Sequence, residues 1–322
     1  MGNYIVRRLI QTLLVIVILS YVCFSIMAWM PGDPVDQMVA SNPRITAEDV
    51  ARLRALYGLD QPTYKRYWNW VSTLASGDLG YSRTYRVPVS DLLGPRLINS
   101  FYLSMLALIV SLLIALPIGI YAALRPGSAF DYLANLFSFG GISLPSFWIA
   151  IMLIITFAVH LGIFPAGGTE SLSDAAGFWA NFKDRLYYLA LPVMSLSLQQ
   201  IGVFARYVRS SMLEAMRNDF IRTARAKGLS AHVVTWKHGF RNALIPLITI
   251  LTISFSSIFS GAVLTETVFN YQGVGKLVYE SIMANDFNVA MISFIIAVSM
   301  VLFMSLIADI LYGIADPRIS YK

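Results

Sequence analysis

Six stretches of the chain run for at least 18 residues without Asp, Glu, Lys or Arg. They are Leu9–Gly32, Leu97–Leu124, Tyr132–Thr169, Leu186–Ala205, Asn242–Thr265 and Phe287–Ala308, between 20 and 38 residues long. About 20 apolar residues let a helix cross the hydrocarbon of a bilayer, so each run can hold one membrane helix. None alternates as a barrel strand must, and in lipid the backbone has to satisfy its own hydrogen bonds. The pattern predicts an all-α integral membrane protein with six transmembrane helices. The 38-residue run is read as one helix over about residues 133–160, kinked by Gly140, Gly141 and Pro145, then a turn through Gly162, Pro165, Gly167 and Gly168. The first run follows Arg7 and Arg8, as a signal peptide would. Its 24 residues exceed the ~7–15 of a signal core, and Trp29-Met30-Pro31 is a poor cleavage site, so a retained helix is expected.

Composition narrows the class. Hydrophobic residues are 57% of the 322 and charged residues 13%, against ~25% charged in soluble domains; mean hydropathy is +0.64. An ordinary soluble enzyme, a disordered chain and a soluble nucleic-acid binder are excluded. With the N-terminus inside, segments 1–8, 125–131, 206–241 and 309–322 carry 13 basic and 5 acidic residues, and the opposite side carries 11 and 13. Eight of those 11 lie in segment 33–96, whose 64 residues are long enough to escape the positive-inside rule. Both termini are predicted to be cytoplasmic in a multi-pass protein of the bacterial cell (inner) membrane. The single cysteine, Cys23, excludes an internal disulfide and a Cys-based metal cluster.

The chain therefore divides into a tail and first helix (1–32), an extracytoplasmic segment (33–96) and a five-helix core (97–322) holding a cytoplasmic loop at 206–241. The outer segment has a helix start at Thr46-Ala47-Glu48-Asp49, ended by Gly58, and a second helix over about residues 63–74 before Gly77. Trp68 and Trp70 suit a membrane interface. The segment either packs on the bundle or meets cargo or an external partner. Inside, residues 204–227 read as one helix leaving the membrane, with Leu213, Met216, Phe220 and Ala224 on one face. Gly228 stops it, Ser230 caps a short helix through about His238, and Gly239 ends that one. This element could be gripped by another protein or could rest on anionic lipid; physics alone leaves both open.

Signatures of catalysis are missing. There is no GxxxxGK[ST], HExxH or GxSxG. The nearest string to a phosphate loop, Gln272-Gly273-Val274-Gly275-Lys276-Leu277, lacks the spacing and the hydroxyl. His160, His232 and His238 do not share a metal-binding face. The interiors of the six runs carry no charge, although Glu266 and Asp309 flank two of them; ion coupling usually needs a buried carboxylate, so the energy for any transport is expected from another subunit. A stripe of Ala107, Ser111, Ala115, Gly119 and Ala123 reads as close helix packing rather than pore lining. Ser143 and Ser146 on the third helix and Thr252, Ser254 and Ser257 on the fifth are candidates for a weakly polar translocation path; local bonding to the backbone is the alternative.

Five strings then converge. They are Tyr57-Gly58-Leu59-Asp60-Gln61-Pro62, Gly77-Asp78-Leu79-Gly80-Tyr81-Ser82, Asp219-Phe220-Ile221-Arg222-Thr223-Ala224-Arg225-Ala226-Lys227-Gly228-Leu229, His238-Gly239-Phe240-Arg241-Asn242-Ala243-Leu244-Ile245-Pro246, and Asp309-Ile310-Leu311-Tyr312 with Asp316-Pro317-Arg318. In this order they resemble the B-type permease subunit of bacterial ABC importers of the oligopeptide/dipeptide/nickel family, over nearly the whole chain. Gly228 falls on the glycine of the permease signature EAA-x3-G-x9-I-x-LP and Ala224 on its second alanine; Arg222, Thr223, His238, Phe240 and Arg241 depart from it. The resemblance implies a type I ABC importer permease fold with a helical extracytoplasmic insertion after the first helix. It implies that Glu214, Asp219, Arg222, Ala224, Lys227, Gly228, Leu229, His238 and Arg241 belong to the loop that couples to an ATPase. The implied partners are a second homologous permease, two ATPase subunits, an extracytoplasmic solute-binding protein and the bilayer, with no nucleic acid. This chain would be non-catalytic and bind no cofactor, ATP and Mg²⁺ being used by partner subunits. The alternatives are a self-contained secondary carrier or channel, or a membrane scaffold. Cargo stays open among dipeptide, oligopeptide, nickel chelate, glutathione and opine.

The charge count makes the topology testable. In a Cys23→Ser background, Ser76→Cys should react with an impermeant maleimide on whole cells, and Ser230→Cys only after the membrane is opened. The opposite labelling would invert the assignment.

Overall fold

The computed structural model describes residues 2–29, 35, 39, 45–56, 58–171, 177–256 and 262–315. Apart from one isolated bridge, Tyr81 to Pro88, the regular structure among them is helical. Two compact units form, one from residues 1–97 and 277–299 and the other from 98–276 and 300–322.

In the first unit, α1 (Gly2–Trp29) keeps Leu13, Leu14 and Ile18 exposed. Helix α2 (Ala47–Leu56) starts at the expected place through a capping box. Asp49 N–H donates to Thr46 Oγ1 (3.3 Å) and Thr46 N–H to Asp49 Oδ2 (3.0 Å), so two otherwise orphaned donors are satisfied reciprocally. The Thr46 bonds hold the Asp49 carboxyl below the usual carboxylate range. The end at Gly58 also follows expectation: Gly58 N–H bonds Ala55 O and Leu59 N–H bonds Arg54 O, the Schellman pattern. Helix α3 (Thr63–Ala75) packs on α1. Tyr67 is buried, its hydroxyl 2.7 Å from Ser20 Oγ, and its ring stands edge-on to Tyr21 and Phe24. Trp70 lies near Phe24, whereas Trp68 is 70% exposed. The string at 77–82 is a seat: Ser82 Oγ and Thr84 N–H both donate to Asp286 Oδ2 (2.6 and 3.1 Å), and Asn288 Nδ2 donates to Leu79 O.

The second unit is organised around long helices. Its members are most of α4 (Val89–Leu124), α5 (Ala129–Ser143), α6 (Ser146–Leu153) continued by a wide π turn to His160, and α7 (Phe178–Arg217). After α7 come α8 (Asp219–Ala226) and α9 (Ala231–Val233), whose π turn at Val234–Phe240 runs into α10 (Arg241–Ser256). Then follows α11 (Val263–Val268); α12 (Val274–Met283) belongs mostly to the first unit, and α13 (Phe287–Ala315), the last described element, is divided between the units after Ser299. The alanine and serine stripe of α4 packs as expected: Ala107, Ser111, Ala115 and Ala123 are buried, and a Cβ on Gly119 would lie 2.7 Å from Ala205 O of α7.

Most of the six expected spans are met among the described residues. Among the described residues, four helices are long and apolar enough to cross a membrane, within α1, α4, α7 and α13, or five if the broken pair α5 and α6 is one span. The third expected helix, 133–160, is instead two helices bent by 102°. Pro145 is the cause: it cannot donate to the ladder, and it stands in extended conformation before α6. The fifth run appears as a shorter apolar helix, Pro246–Phe255, and residues 257–261 next to it lie outside the described set.

Two glycines of this unit separate close packing from open space. A Cβ on Gly202 would lie 2.6 Å from Ser138 O, and one on Gly140 would meet nothing within 4 Å. Gly202→Ala should therefore destabilise the protein by about 1–3 kcal/mol, and Gly140→Ala should be neutral or slightly stabilising. Thermal unfolding in detergent checks the pair.

Candidate functional site

Segment 218–241 packs around a small core that Met216, near the end of α7, completes. Asn218 takes an extended conformation (φ −72°, ψ 155°) and separates α7 from α8. The expected single helix over 204–227 is thus broken in two. The break redirects the buried face. Ile221, Ala224 and Val234 pack together with Met216, whereas Phe220, expected on that face, is 38% exposed. Gly228 ends α8 at φ +74°. Its N–H bonds Arg225 O (2.9 Å) and the Leu229 N–H bonds Ala224 O (3.3 Å), a Schellman turn that favours glycine. Ser230 caps the next helix as expected, its Oγ accepting from Val233 N–H. Gly239 does not end that helix. It is buried inside the π turn, where a Cβ would lie 2.7 Å from Met216 Sδ.

This core turns the remaining side chains outward. Of the coupling candidates, Ala224 is buried, His238 half-buried, and Glu214, Asp219, Arg222, Lys227, Gly228, Leu229 and Arg241 are exposed. A Cβ on Gly228 would meet nothing within 4 Å. The Arg222–Asp219 ion pair at 3.4 Å is highly exposed and contributes little to stability. Arg225, Trp236 and Lys237 share this exposure. The outline of the segment was legible in the sequence; their membership was not, because helix phase across the Asn218 break depends on one backbone dihedral pair.

The path candidates are placed apart along the chain. Ser143 (exposed) and Ser146 (half-buried) flank the bend, and Ser254 is half-buried on α10. The Thr252 side chain and Ser257 lie outside the described residues. Ser138, on the same helix as Ser143, bonds locally to Ala134 O at 2.7 Å. The bend borders an open cavity of about 790 Å³ whose walls include Phe137, Leu144, Trp148 and Met152. A second cavity of about 610 Å³ is bordered by Asn99, Tyr102, Arg185, Phe178, Phe182 and Tyr271.

Sequence reasoning missed a polar centre at Glu266, which is fully buried. Its Oε1 accepts from Ser100 Oγ (2.7 Å) and Ala262 N–H (3.2 Å), and its Oε2 from Lys276 N–H (2.9 Å). Ser100 Oγ in turn accepts from Val274 N–H at 2.8 Å. The glycine string 272–277 thus folds over the chain's own Glu266 side chain, to which it donates one N–H, that of Lys276. A Cβ on Gly273 would fall 2.3 Å from Glu266 Cδ. The seat is filled, and a phosphate has no room there.

Comparison with known proteins fits this architecture. Residues 115–321 match the family of binding-protein-dependent transport system inner membrane components. The chain belongs to this family. Residues 1–92 match the N-terminal region of such membrane components. Relatives include the oligopeptide transport system permease protein AppB of Bacillus subtilis (39% identical, all of both chains covered). The dipeptide transport system permease protein DppB of Escherichia coli K12 is 34% identical, again over all of both chains. Among solved structures, inward-facing forms of the MetNI methionine ABC transporter align with TM-scores of 0.53 and 0.54 at 18% and 17% identity. They cover 70% and 69% of this chain and 96% and 95% of theirs. That likeness shows the fold, the type I ABC importer permease fold that the sequence strings implied.

The packing of 218–241 can be tested locally. Ile221→Ala should cost the segment about 2–5 kcal/mol and speed tryptic cleavage at Arg222, Arg225 and Lys227. Arg222→Ala, on the exposed side, should stay within about 0.5 kcal/mol of the parent. Equal cleavage rates at the shared sites Arg225 and Lys227 in the two variants would show that the small core does not hold the segment.

Proposed function

We propose that this chain is one of two homologous permease subunits of an ATP-driven importer of peptides or similar small solutes, and that segment 218–241 is where an ATPase subunit docks. The observation that carries the reading is the Gly228 turn. A helix pair packed around Ile221, Ala224 and Val234 against Met216 of α7 holds up a glycine with open space around it, flanked by exposed Leu229, Lys227 and Arg222. The full-length relatives AppB and DppB carry oligopeptide and dipeptide transport in their names, which supports peptides as the cargo class.

In this reading both termini and 218–241 face the cytoplasm. A loaded binding protein docks on the opposite side. ATP and Mg²⁺ act in the partner ATPases, whose closure pushes on 218–241 and switches the helices between outward and inward access. Each state must be held by a contact the other lacks: nucleotide between the ATPases in one, and an open ATPase pair in the other. The permease itself hydrolyses nothing. Cargo passes along helices that include the bend at Ser143 and Ser146 and α10 at Ser254, with Thr252 and Ser257 as further candidates from the sequence.

Gly228 gives the test. Substitution adds left-handed backbone strain of about 1–2 kcal/mol for most residues, which Asn tolerates better. Gly228→Asp and Gly228→Asn should both insert and assemble at parental levels, and both should lose binding-protein-dependent uptake. Normal uptake by Gly228→Asn would mean that backbone strain alone matters and that nothing docks at the turn. Normal uptake by Gly228→Asp would remove the segment from the mechanism.

A further inference from the structure

Buried Asp131 and half-buried Arg209, whose side chain is 27% exposed, form an ion pair that the function described so far does not use. Arg209 Nε donates to Asp131 Oδ1 (2.5 Å) and Nη2 to Oδ2 (2.7 Å). The Asp131 side chain is 4% exposed. It also accepts from Gly127 N–H and Asn135 Nδ2, both at 2.9 Å, so the connection between α4 and α5 is fastened to the same carboxylate. The pair sits at one end of an antiparallel contact between α5 and α7. Seven residues further on each helix, Ser138 O lies 2.6 Å from the position of a Gly202 Cβ. Beyond that, Leu198 O lies 3.1 Å from the position of a Gly141 Cβ. Past the end of α5, Gln199 Nε2 holds Leu144 O at 3.0 Å, directly at the 102° bend.

Two helices in backbone contact along four turns cannot slide without breaking these approaches. The glycine contacts alone permit rotation about the contact line. A bidentate guanidinium–carboxylate pair does not, because both donors and both acceptors are fixed in one plane. Burying such a pair is a poor way to add stability, since apolar residues of similar size often serve as well. Its particular product is direction. Arg209 stands eight residues before the end of α7 at Arg217, next to the Asn218 break.

We propose that Asp131 and Arg209 are positioning residues of the import cycle, locking α5 to α7 so that movement of segment 218–241 carries the bend at Leu144–Pro145 with it. This rests on the reading that an ATPase docks on 218–241. The pair is thereby the link between the docking segment and the helices that open and close.

The test uses the complete importer in proteoliposomes. The apolar double variant Asp131→Leu/Arg209→Met removes the lock without leaving a buried charge. It should assemble with parental thermal stability and retain binding-protein-stimulated ATP hydrolysis, while solute moved per ATP falls about tenfold. Asp131→Glu, which keeps the charge pair, should recover most of that ratio. A parental ratio in the double variant would make the pair purely structural and overturn the proposal. If the double variant does not assemble, the wild-type pairing decides: spin labels at Tyr132 and Leu198, in a Cys23→Ser background, should keep one distance with and without trapped nucleotide. A nucleotide-dependent change in that distance would overturn the lock. Gly228→Asp is run alongside. Its normal uptake sinks the docking reading, whereas loss of uptake with a parental ratio in the double variant sinks the lock alone.

Discussion

Close backbone approach along α7 is the contact on which the second unit depends. In lipid, apolar side chains gain little by leaving one apolar surface for another, so helices associate where small residues let them pack tightly. Here α7 meets α4 at Gly119 and α5 at Gly141 and Gly202, with the absent Cβ atoms 2.6 to 3.1 Å from backbone oxygens of the neighbour. Larger residues would hold the helices apart and uncover Ser111, Ala115 and Phe204, which are now buried. The bend at Leu144–Pro145, the ion pair of Asp131 with Arg209 and the start of segment 218–241 all take their positions from that one helix.

Polar groups are used in this framework for fixing, and charge is spent where helices end. Asp286 holds the 82–84 turn, Glu266 holds the 272–276 turn, and Asp131 holds the 125–128 turn. Each carboxylate accepts from backbone N–H groups of a connecting segment. Loops gain rigidity this way, since a buried carboxylate left unpaired is costly. The same geometry gives the glycine string 272–277 its occupant: the Glu266 side chain fills the space beneath it and accepts from Lys276 N–H.

Much of this was legible beforehand. The capping box at Thr46 and Asp49, the stop at Gly58 and the Ser230 cap are local devices, set by residues within five positions of one another, and all formed as read. The apolar runs and the five strings pointed to the membrane class and the family. What misled was continuity. Residues 133–160 read as one helix kinked at Gly140, Gly141 and Pro145, and the chain bends there by 102°, into two helices; residues 204–227 read as one unbroken amphipathic helix. Pro145 and Asn218 each interrupt them through the backbone, and Asn218 carries no strong helix-breaking signal of its own.

The sequence by itself determined the class of element, its ends and its solvent. Those depend on runs of hydrophobicity and on neighbours along the chain, where period and capping chemistry are enough. Tertiary structure alone decided which face of α8 is buried, that Glu266 fills its own nest, and that Asp131 reaches Arg209 across 78 residues. Such pairings arise when two distant segments share a surface. Their partners are chosen by the angle at which helices cross and by where a missing Cβ lets them touch, and neither quantity is written in any local stretch of residues.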